Sequence, residues 1–150
     1  MGHTYTNLLT HIIFSTKDRL PYLRDDRRDD VLAYIGGIVR ELKGTAINVN
    51  GVNDHVHALV RLPAAVPVAK AVEIVKANSS RWIHEYRVFH RAFAWQTGYA
   101  AFSVSESNAD AVSAYINRQP EHHQKITFQE ELIALLKRAR IEYDERYLWI

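Results

Sequence analysis

Cysteine is absent from this 150-residue sequence, and so is any long run of apolar residues. Without cysteine there are no disulfides, thiol nucleophiles or thiolate metal sites, so a metal ion would need nitrogen and oxygen ligands. No apolar run approaches the roughly eighteen residues that a membrane-spanning helix needs. Both absences are typical of a cytoplasmic protein, and we expect that location and no membrane partner.

A large excess of charge of either sign is also missing. The chain has 19 Lys and Arg against 17 Asp and Glu, a net charge of +2, so no polyelectrolyte tail indicates nucleic acid. The distribution is more informative, because residues 76–100 interleave several cations with Trp82, Tyr86, Trp95 and Tyr99. Cations and aromatics together suit a strand of nucleic acid, although a solvated helix face beside a core stripe gives the same pattern.

The order of the predicted elements indicates one domain over residues 1–150. Alternation and helical spacing predict strand, helix, strand, strand, helix and strand, at 4–14, 26–43, 45–52, 55–62, 68–86 and 98–105. This is the ferredoxin-like split βαβ pattern of the α+β class, a four-stranded antiparallel sheet with both helices on one face. We expect the other face of the sheet to be open.

Two C-terminal helices are predicted after the sheet. Ser107 and Asp110 have capping-box spacing at the start of the first, and Pro120 must end or kink it because proline clashes with the preceding turn. Thr127 and Glu130 have the same spacing at the start of the second. The predicted buried side of that helix consists of Leu132, Leu135 and Leu136.

A His-Val-His motif lies in the third predicted strand. Because side chains alternate along a strand, His55 and His57 point to the same side about 7 Å apart, away from the apolar face. Neutral imidazole is the commonest protein ligand for a transition metal, so the two histidines are candidate metal ligands. For the motif alone, two half-exposed histidines in an ordinary strand are the simpler interpretation.

A second candidate group lies on the first C-terminal helix. Tyr115 and Gln119 are four residues apart and are therefore neighbours on one helix face. A tyrosine on a short helix is usually a core residue. The combination of this pair with His55, His57 and a split βαβ frame is what favours a catalytic site.

This ordered set resembles that of the single-tyrosine HUH transposases of the smallest bacterial insertion sequences, including the REP-associated tyrosine transposases. HUH stands for histidine, hydrophobe, histidine, which His55-Val56-His57 matches. Further family-like segments lie at 79–82, 93–99 and 102–105, so the resemblance covers essentially the whole chain.

The resemblance implies a transposase that cleaves and rejoins single-stranded or hairpin DNA. Tyr115 would attack the scissile phosphate and form a 5′-phosphotyrosine, which stores the bond energy for rejoining. His55, His57 and Gln119 would hold one divalent cation that polarises the phosphate. The family implies Mg2+ or Mn2+, although two imidazoles and an amide would also suit zinc or nickel.

Two questions about this site stay open in the sequence. No general base for the tyrosine can be identified. His122 and His123 are not included among the ligands, because adjacent residues after a proline rarely converge on one ion.

The resemblance also implies DNA with hairpin ends as a partner. It further implies a homodimer in which the third predicted helix of one subunit, the helix that carries Tyr115, can complete the site of the other. The candidate phosphate contacts are Lys76, Arg81 and Arg87, with Lys17 and Arg19 as weaker candidates. For each of them, a merely solvated cation is an equal interpretation.

Three alternatives are compatible with the same pattern. A ferredoxin-like sheet with an open face also describes RNA-recognition modules, but their base-stacking aromatics are missing from the polar face of residues 55–62. A domesticated relative could bind or nick hairpin DNA without moving its own gene. A small metal-dependent hydrolase would act without any covalent adduct.

Overall fold

The structure, a computed structural model, describes residues 2–149 as one four-stranded sheet with helices on both faces. In chain order the elements are β1 (Leu8–Ser15), α1 (Asp25–Glu41), β2 (Thr45–Gly51), β3 (His55–Leu62), α2 (Val68–Glu85), β4 (Ala100–Ser103), α3 (Ala109–Asn117), α4 (Gln119–His122) and α5 (Phe128–Arg138). Short 3-10 turns lie at Lys17–Arg19, Glu106–Asn108 and Glu145–Tyr147. Across residues 2–149, no helix combines the length and the apolar character that crossing a membrane requires.

The sheet has the strand order β2-β3-β1-β4, and all neighbouring strands are antiparallel. The predicted ferredoxin-like α+β fold is thereby confirmed. The largest difference between a predicted and an observed strand or helix boundary is at β1, which starts at Leu8 rather than at residue 4. Leu8 already pairs with Leu62, the last residue of β3, so the preceding residues have no strand to join.

The main hydrophobic core lies between one face of the sheet and the helices α1 and α2. Phe14 and Val56 from the strands pack in one cluster with Ile35 of α1 and Val72 of α2. Each such buried side chain contributes about 2 kcal/mol to folding. The histidines of β3 alternate with these apolar residues, so they lie on the opposite face.

The predicted hairpin of β2 and β3 depends on a glycine. Gly51 pairs with Val56 at the closed end of the hairpin. A Cβ atom on Gly51 would lie 2.5 Å from the carbonyl oxygen of His55, closer than real Cβ contacts allow. Glycine at position 51 therefore allows the close backbone approach at the turn after which β3 begins at His55.

The face of the sheet that carries the histidines is covered, contrary to the expected open face. Phe128, Leu132 and Leu136 of α5 pack on Ile13 of β1 and form a second core. Helix α3 lies against β2 and β3. The expectation was wrong because an amphipathic helix must bury its apolar stripe, and α5 buries its stripe on this face.

Within residues 2–149, three C-terminal α-helices follow the sheet where two were predicted, so Tyr115 lies in α3 and Gln119 in α4 rather than on one helix. Thr127 and Glu130 form the predicted capping box of α5. Pro120 lies in the first turn of α4, and α3 ends just before it at Asn117. The capping box predicted from Ser107 does not form, because a 3-10 turn makes Asn108 the N-cap of α3, without a side-chain hydrogen bond.

Candidate active site

Strand β3 places two buried imidazoles side by side under the C-terminal helices. The ring centroids of His55 and His57 are 5.1 Å apart, in an edge-to-face arrangement. The Nδ1 atom of His55 lies 2.7 Å from Asp54 Oδ1, and that of His57 lies 2.8 Å from His11 Nε2 on β1. Fixing one ring nitrogen with a neighbour leaves Nε2 aimed at the site, which is how metal-ligating histidines are usually oriented.

A buried carboxylate faces both Nε2 atoms. Glu131 of α5 is 2% exposed, and its Oε1 lies 3.0 Å from His57 Nε2 and 3.3 Å from His55 Nε2. Sequence analysis did not find this residue, although a signal was present. Glu131 lies three residues after Phe128 on the apolar stripe of α5, where a charged side chain is rare unless it has a partner.

Tyr115 and Gln119 point to the same carboxylate. Gln119 Nε2 donates to Glu131 Oε2 at 2.8 Å, and Gln119 Oε1 lies 3.1 Å from His55 Nε2. The hydroxyl of Tyr115 donates to Glu131 Oε2, and its ring lies 5.9 Å from that of His57. The four residues singled out from the sequence are therefore neighbours within a single chain, with Glu131 between them.

His123, which sequence reasoning left out, belongs to the same cluster. Its Nε2 lies 3.0 Å from Glu131 Oε1, and its Nδ1 lies 3.0 Å from the carbonyl oxygen of Ile126. His122 is more exposed and lies 3.5 Å from Glu131 Oε2. The segment after Pro120 is helical rather than an extended loop, and this turn brings His123 back toward the sheet.

A metal ion could be held by four side chains of this cluster. One ligand atom from each lies within 4.8 Å of the others, and the four residues are His55, His57, His123 and Glu131. Imidazole nitrogens with a carboxylate suit divalent transition metals. The ring of Phe128, 4.4 Å from that of His55, closes one side of the cluster.

Burial and hydrogen bonding move the histidine pKa values in opposite directions. Burial lowers the pKa of His57 to about 4 and that of His11 to about 3, so both rings are neutral at pH 7. Burial acts in the same sense on His55. There, the hydrogen bonds and charges of Asp54 and Glu131 outweigh burial and raise the pKa.

The Glu131 carboxylate and the Tyr115 hydroxyl share a hydrogen bond, and both have shifted pKa values. Burial disfavours the charged form of Glu131, but hydrogen bonds from His123, His55 and His57 outweigh it and hold the pKa of Glu131 well below its usual range. Burial, together with the Glu131 charge, raises the pKa of Tyr115. The Tyr115 hydroxyl is therefore neutral and acts as a hydrogen-bond donor.

The candidate phosphate contacts near α2 lie in the helical layer on the far side of the sheet. Lys76 Nζ donates to the carbonyl oxygen of Gln96 at 2.9 Å and to that of Gly98, and burial lowers the Lys76 pKa to about 8. This lysine is engaged in holding the segment before β4. Arg81 and Arg87 are exposed, but the thickness of the sheet separates them from the tyrosine.

Lys17 and Arg19 lie closer to the site. A groove of about 680 Å³ runs beside the cluster, and its wall includes Arg19, Arg28, His123 and Lys125. The guanidinium of Arg19 lies 5.2 Å from the ring centroid of Trp149, and Lys17 is exposed next to it. The carboxylates in the wall all have partners within the chain, namely Arg28 for Asp25, His55 for Asp54 and Thr127 for Glu130.

The sequence matches known transposases. Residues 4–119 match the family model described as "Transposase IS200 like". Transposases for insertion sequence element IS200 from Salmonella typhimurium (strain LT2) and Salmonella typhi are each 28% identical over 131 residues, which cover 81% of this chain and 82% of theirs. The matched family segment includes the histidine pair, Tyr115 and Gln119, whereas Glu131 lies beyond it.

Two solved structures are similar in fold. A candidate transposase from Deinococcus radiodurans R1 superposes with a TM-score of 0.62 at 21% identity, over 79% of this chain and 96% of that one. A REP-associated tyrosine transposase bound to a REP hairpin superposes with a TM-score of 0.61 at 13% identity, over 84% of this chain and 74% of that one. At such identities the likeness concerns the fold alone.

Proposed function

Because this chain belongs to the IS200-like transposase family and is a transposase, we propose that it cleaves and rejoins single-stranded or hairpin DNA through a 5′-phosphotyrosine on Tyr115. One observation carries the proposal. Tyr115 and Gln119 come from the C-terminal helices, yet both bond to the carboxylate that also faces the histidine pair. A nucleophile beside candidate metal ligands is what metal-assisted phosphoryl transfer needs.

The proposed cation is divalent, Mg2+ or Mn2+, and the transition metal Mn2+ fits the imidazole-rich donor set better than Mg2+ does. His55 and His57 are the proposed ligands with Gln119, and Glu131 and His123 lie within reach of the same position. When bound, the cation would polarise the scissile phosphate as a Lewis acid. The charge of Glu131 would compensate that of the cation in a buried site, where an uncompensated charge is costly.

Tyr115 performs the covalent step in this proposal. Its hydroxyl oxygen forms a bond to phosphorus while the bond from phosphorus to the 3′ oxygen breaks, leaving a phosphotyrosine and a 3′-hydroxyl. Glu131 accepts the hydrogen bond of this hydroxyl and so orients it. The phenolic proton passes to solvent, because the pKa of Glu131 is held too low for this carboxylate to keep a proton. The 3′ oxygen takes its proton from solvent, and rejoining reverses these transfers.

The proposed substrate is DNA with hairpin ends. A structural neighbour, a REP-associated tyrosine transposase, was solved with a REP hairpin, and the groove beside His123 offers Arg19, Arg28 and Lys125 as phosphate contacts in this chain. Arg19 and Lys17 are the candidate phosphate contacts nearest the site. Lys76, Arg81 and Arg87 could serve only DNA that runs over the helical layer.

We propose one transposase domain over the chain, and a homodimer as the working assembly. In this proposal each site is built from one chain, which is supported by the contacts of Tyr115 with Glu131 and His57 of its own chain. A non-catalytic module that stacks bases on the sheet is disfavoured, since α3 and α5 cover the face such modules use.

The test is formation of a covalent adduct. A labelled oligonucleotide carrying a palindrome from the DNA that flanks the gene is incubated with protein and Mn2+, then separated on a denaturing gel. We expect a labelled protein band that requires metal, persists in Tyr147→Phe, an exposed tyrosine, and is lost in Tyr115→Phe. Cleavage that survives Tyr115→Phe would instead indicate a hydrolase. Binding without cleavage would indicate a domesticated binding module.

A further inference from the structure

The helix that carries Tyr115 is held by few apolar contacts. Of the nine residues of α3, Ile116 is the one that is buried. A helix with so little apolar contact cannot fix its position to a fraction of an ångström by packing alone. Its polar contacts therefore decide where the tyrosine hydroxyl lies.

The carbonyl group of Ile116, near the C-terminal end of α3, lacks the N–H partner that a continuous α-helix would supply from four residues further on. In a continuous helix, the carbonyl of Ile116 would accept from the backbone N–H of residue 120. Residue 120 is proline and has no N–H. Asn50 of β2 supplies a donor instead, since its Nδ2 donates to the Ile116 carbonyl at 3.0 Å.

A second asparagine of β2 holds the preceding turn of α3. Asn48 Nδ2 lies 3.0 Å from the carbonyl oxygen of Ser113, 3.1 Å from Ser113 Oγ and 2.9 Å from Asn117 Oδ1. The acceptors on α3 thus bracket Tyr115 on both sides along the chain. We refer to Asn48 and Asn50 as the asparagine clamp.

The clamp is in register with the histidine strand. Asn50 pairs with His57 across β2 and β3, and Asn48 pairs with Leu59. Directly paired residues of neighbouring strands point to the same face about 5 Å apart. The amide that fixes the peptide next to Tyr115 is therefore one strand away from a proposed metal ligand.

We infer that Asn48 and Asn50 are positioning residues for the transposition reaction, which set the Tyr115 hydroxyl relative to His55 and His57 of the same chain. The inference rests on the proposed role of Tyr115 as nucleophile. The two asparagines do not contact the reacting atoms. They act through the α3 backbone, so their loss should affect the rate of attack and leave the groups that bind metal and DNA in place.

The test compares Asn50→Leu with Asn108→Leu. Both remove one asparagine amide, but Asn108 is exposed at the other end of α3 and makes no side-chain cap. We measure the single-turnover rate of adduct formation at saturating Mn2+ and oligonucleotide, with Mn2+ affinity followed separately by electron paramagnetic resonance. Asn50→Leu should slow adduct formation about 10- to 100-fold, as expected for a misplaced nucleophile. The affinities for Mn2+ and for the oligonucleotide should both stay within about twofold of wild type.

Equal rates in the two variants would overturn the inference. A loss of Mn2+ affinity as large as the loss of rate would also overturn it, because that pattern means general disruption of the site. Asn48→Leu, which leaves the Asn50 bond intact, is the second variant if Asn50→Leu does not fold, and the same outcomes apply to it.

Hydrogen exchange separates this inference from the proposed function. Amides of residues 109–117 should exchange about tenfold faster in Asn50→Leu than in Asn108→Leu, with or without DNA. If wild type forms no adduct, the phosphotyrosine proposal fails, and exchange still tests the clamp. Equal exchange in the two variants would show that the asparagines do not hold α3.

Discussion

Replacing Glu131 by glutamine removes one negative charge from the centre of the site and keeps the shape of the side chain. The carboxylate is nearly inaccessible to solvent and accepts hydrogen bonds from His57, His123, Gln119 and Tyr115. An amide in its place carries its own N–H donors, which would face those donors. The substitution should therefore lower both the stability of the fold and the affinity for a cation.

The size of the effect follows from these contacts. A hydrogen bond to a charged group contributes about 1.5–3 kcal/mol, against about 1 kcal/mol for a neutral one. Several bonds weaken together, while the cost of burying the carboxylate is relieved, so the free energy of unfolding should fall by about 2–4 kcal/mol. For a chain of this length, that corresponds to a Tm lower by about 5–15 °C. Mn2+ affinity should fall about 10- to 100-fold.

Urea denaturation, thermal melting and Mn2+ titration measure these changes. Glu121→Gln is the matched control, because it makes the same charge change on an exposed residue of α4. We expect Glu121→Gln to behave as wild type in all three assays. Identical stability and Mn2+ affinity in the two variants would refute the assignment of Glu131 to the centre of the site.

Three further predictions concern pH, cations and helix capping. The folded-state pKa values of His11 and His57 are about 3 and about 4, below the unfolded value of 6.5, so the unfolded chain binds more protons below pH 6.5. Each ring should therefore lower the free energy of unfolding in urea by about 2 kcal/mol between pH 7 and pH 5. His55, whose pKa is raised, offsets part of this fall. The fall should be less steep in His11→Gln, and a rise on acidification would contradict the assignment. Lys76→Met should lower the free energy of unfolding by about 1–3 kcal/mol and leave DNA affinity unchanged. Arg19→Gln should weaken DNA binding and reduce the slope of log affinity against log salt concentration by about 1. Weaker DNA binding in Lys76→Met but not in Arg19→Gln would place the DNA on the helical layer. Thr127→Ala should cost about 1 kcal/mol in urea denaturation through loss of the α5 capping box, and no change would mean that α5 frays there in solution.

The sheet and its two packed helices could be predicted because local patterns determine them. Alternation at 55–62 fixes which face of β3 is apolar, and the ferredoxin-like order leaves one sheet topology. The covered face could not be predicted in the same way. Whether α5 packs on this sheet or on another surface depends on long-range contacts such as Phe128 with His55, which leave no periodic signal in either segment.

The residues of the candidate site also fall into those that a sequence motif predicts and those that it does not. His55, His57, Tyr115 and Gln119 were found because they form an ordered motif, and their roles stay predictions. Glu131 has no motif, and its only signal is a charge on an apolar stripe. His123 was left out because adjacent residues after a proline rarely converge on one ion, whereas α4 turns the chain helically at Gln119–His122 and brings His123 into the group without His122.

The groups around Glu131 come from segments far apart in the chain, since Glu131 lies 74 positions after His57 and Gln119 lies 64 positions after His55. An unfolded chain rarely brings such groups together, so it offers a cation no comparable site. Any cation bound here therefore stabilises the native state by mass action, by about 2.7 kcal/mol at a concentration one hundred times its Kd. The same linkage makes the melting temperature a readout of metal choice, since the ion that fits the centre best will raise it most at equal concentration.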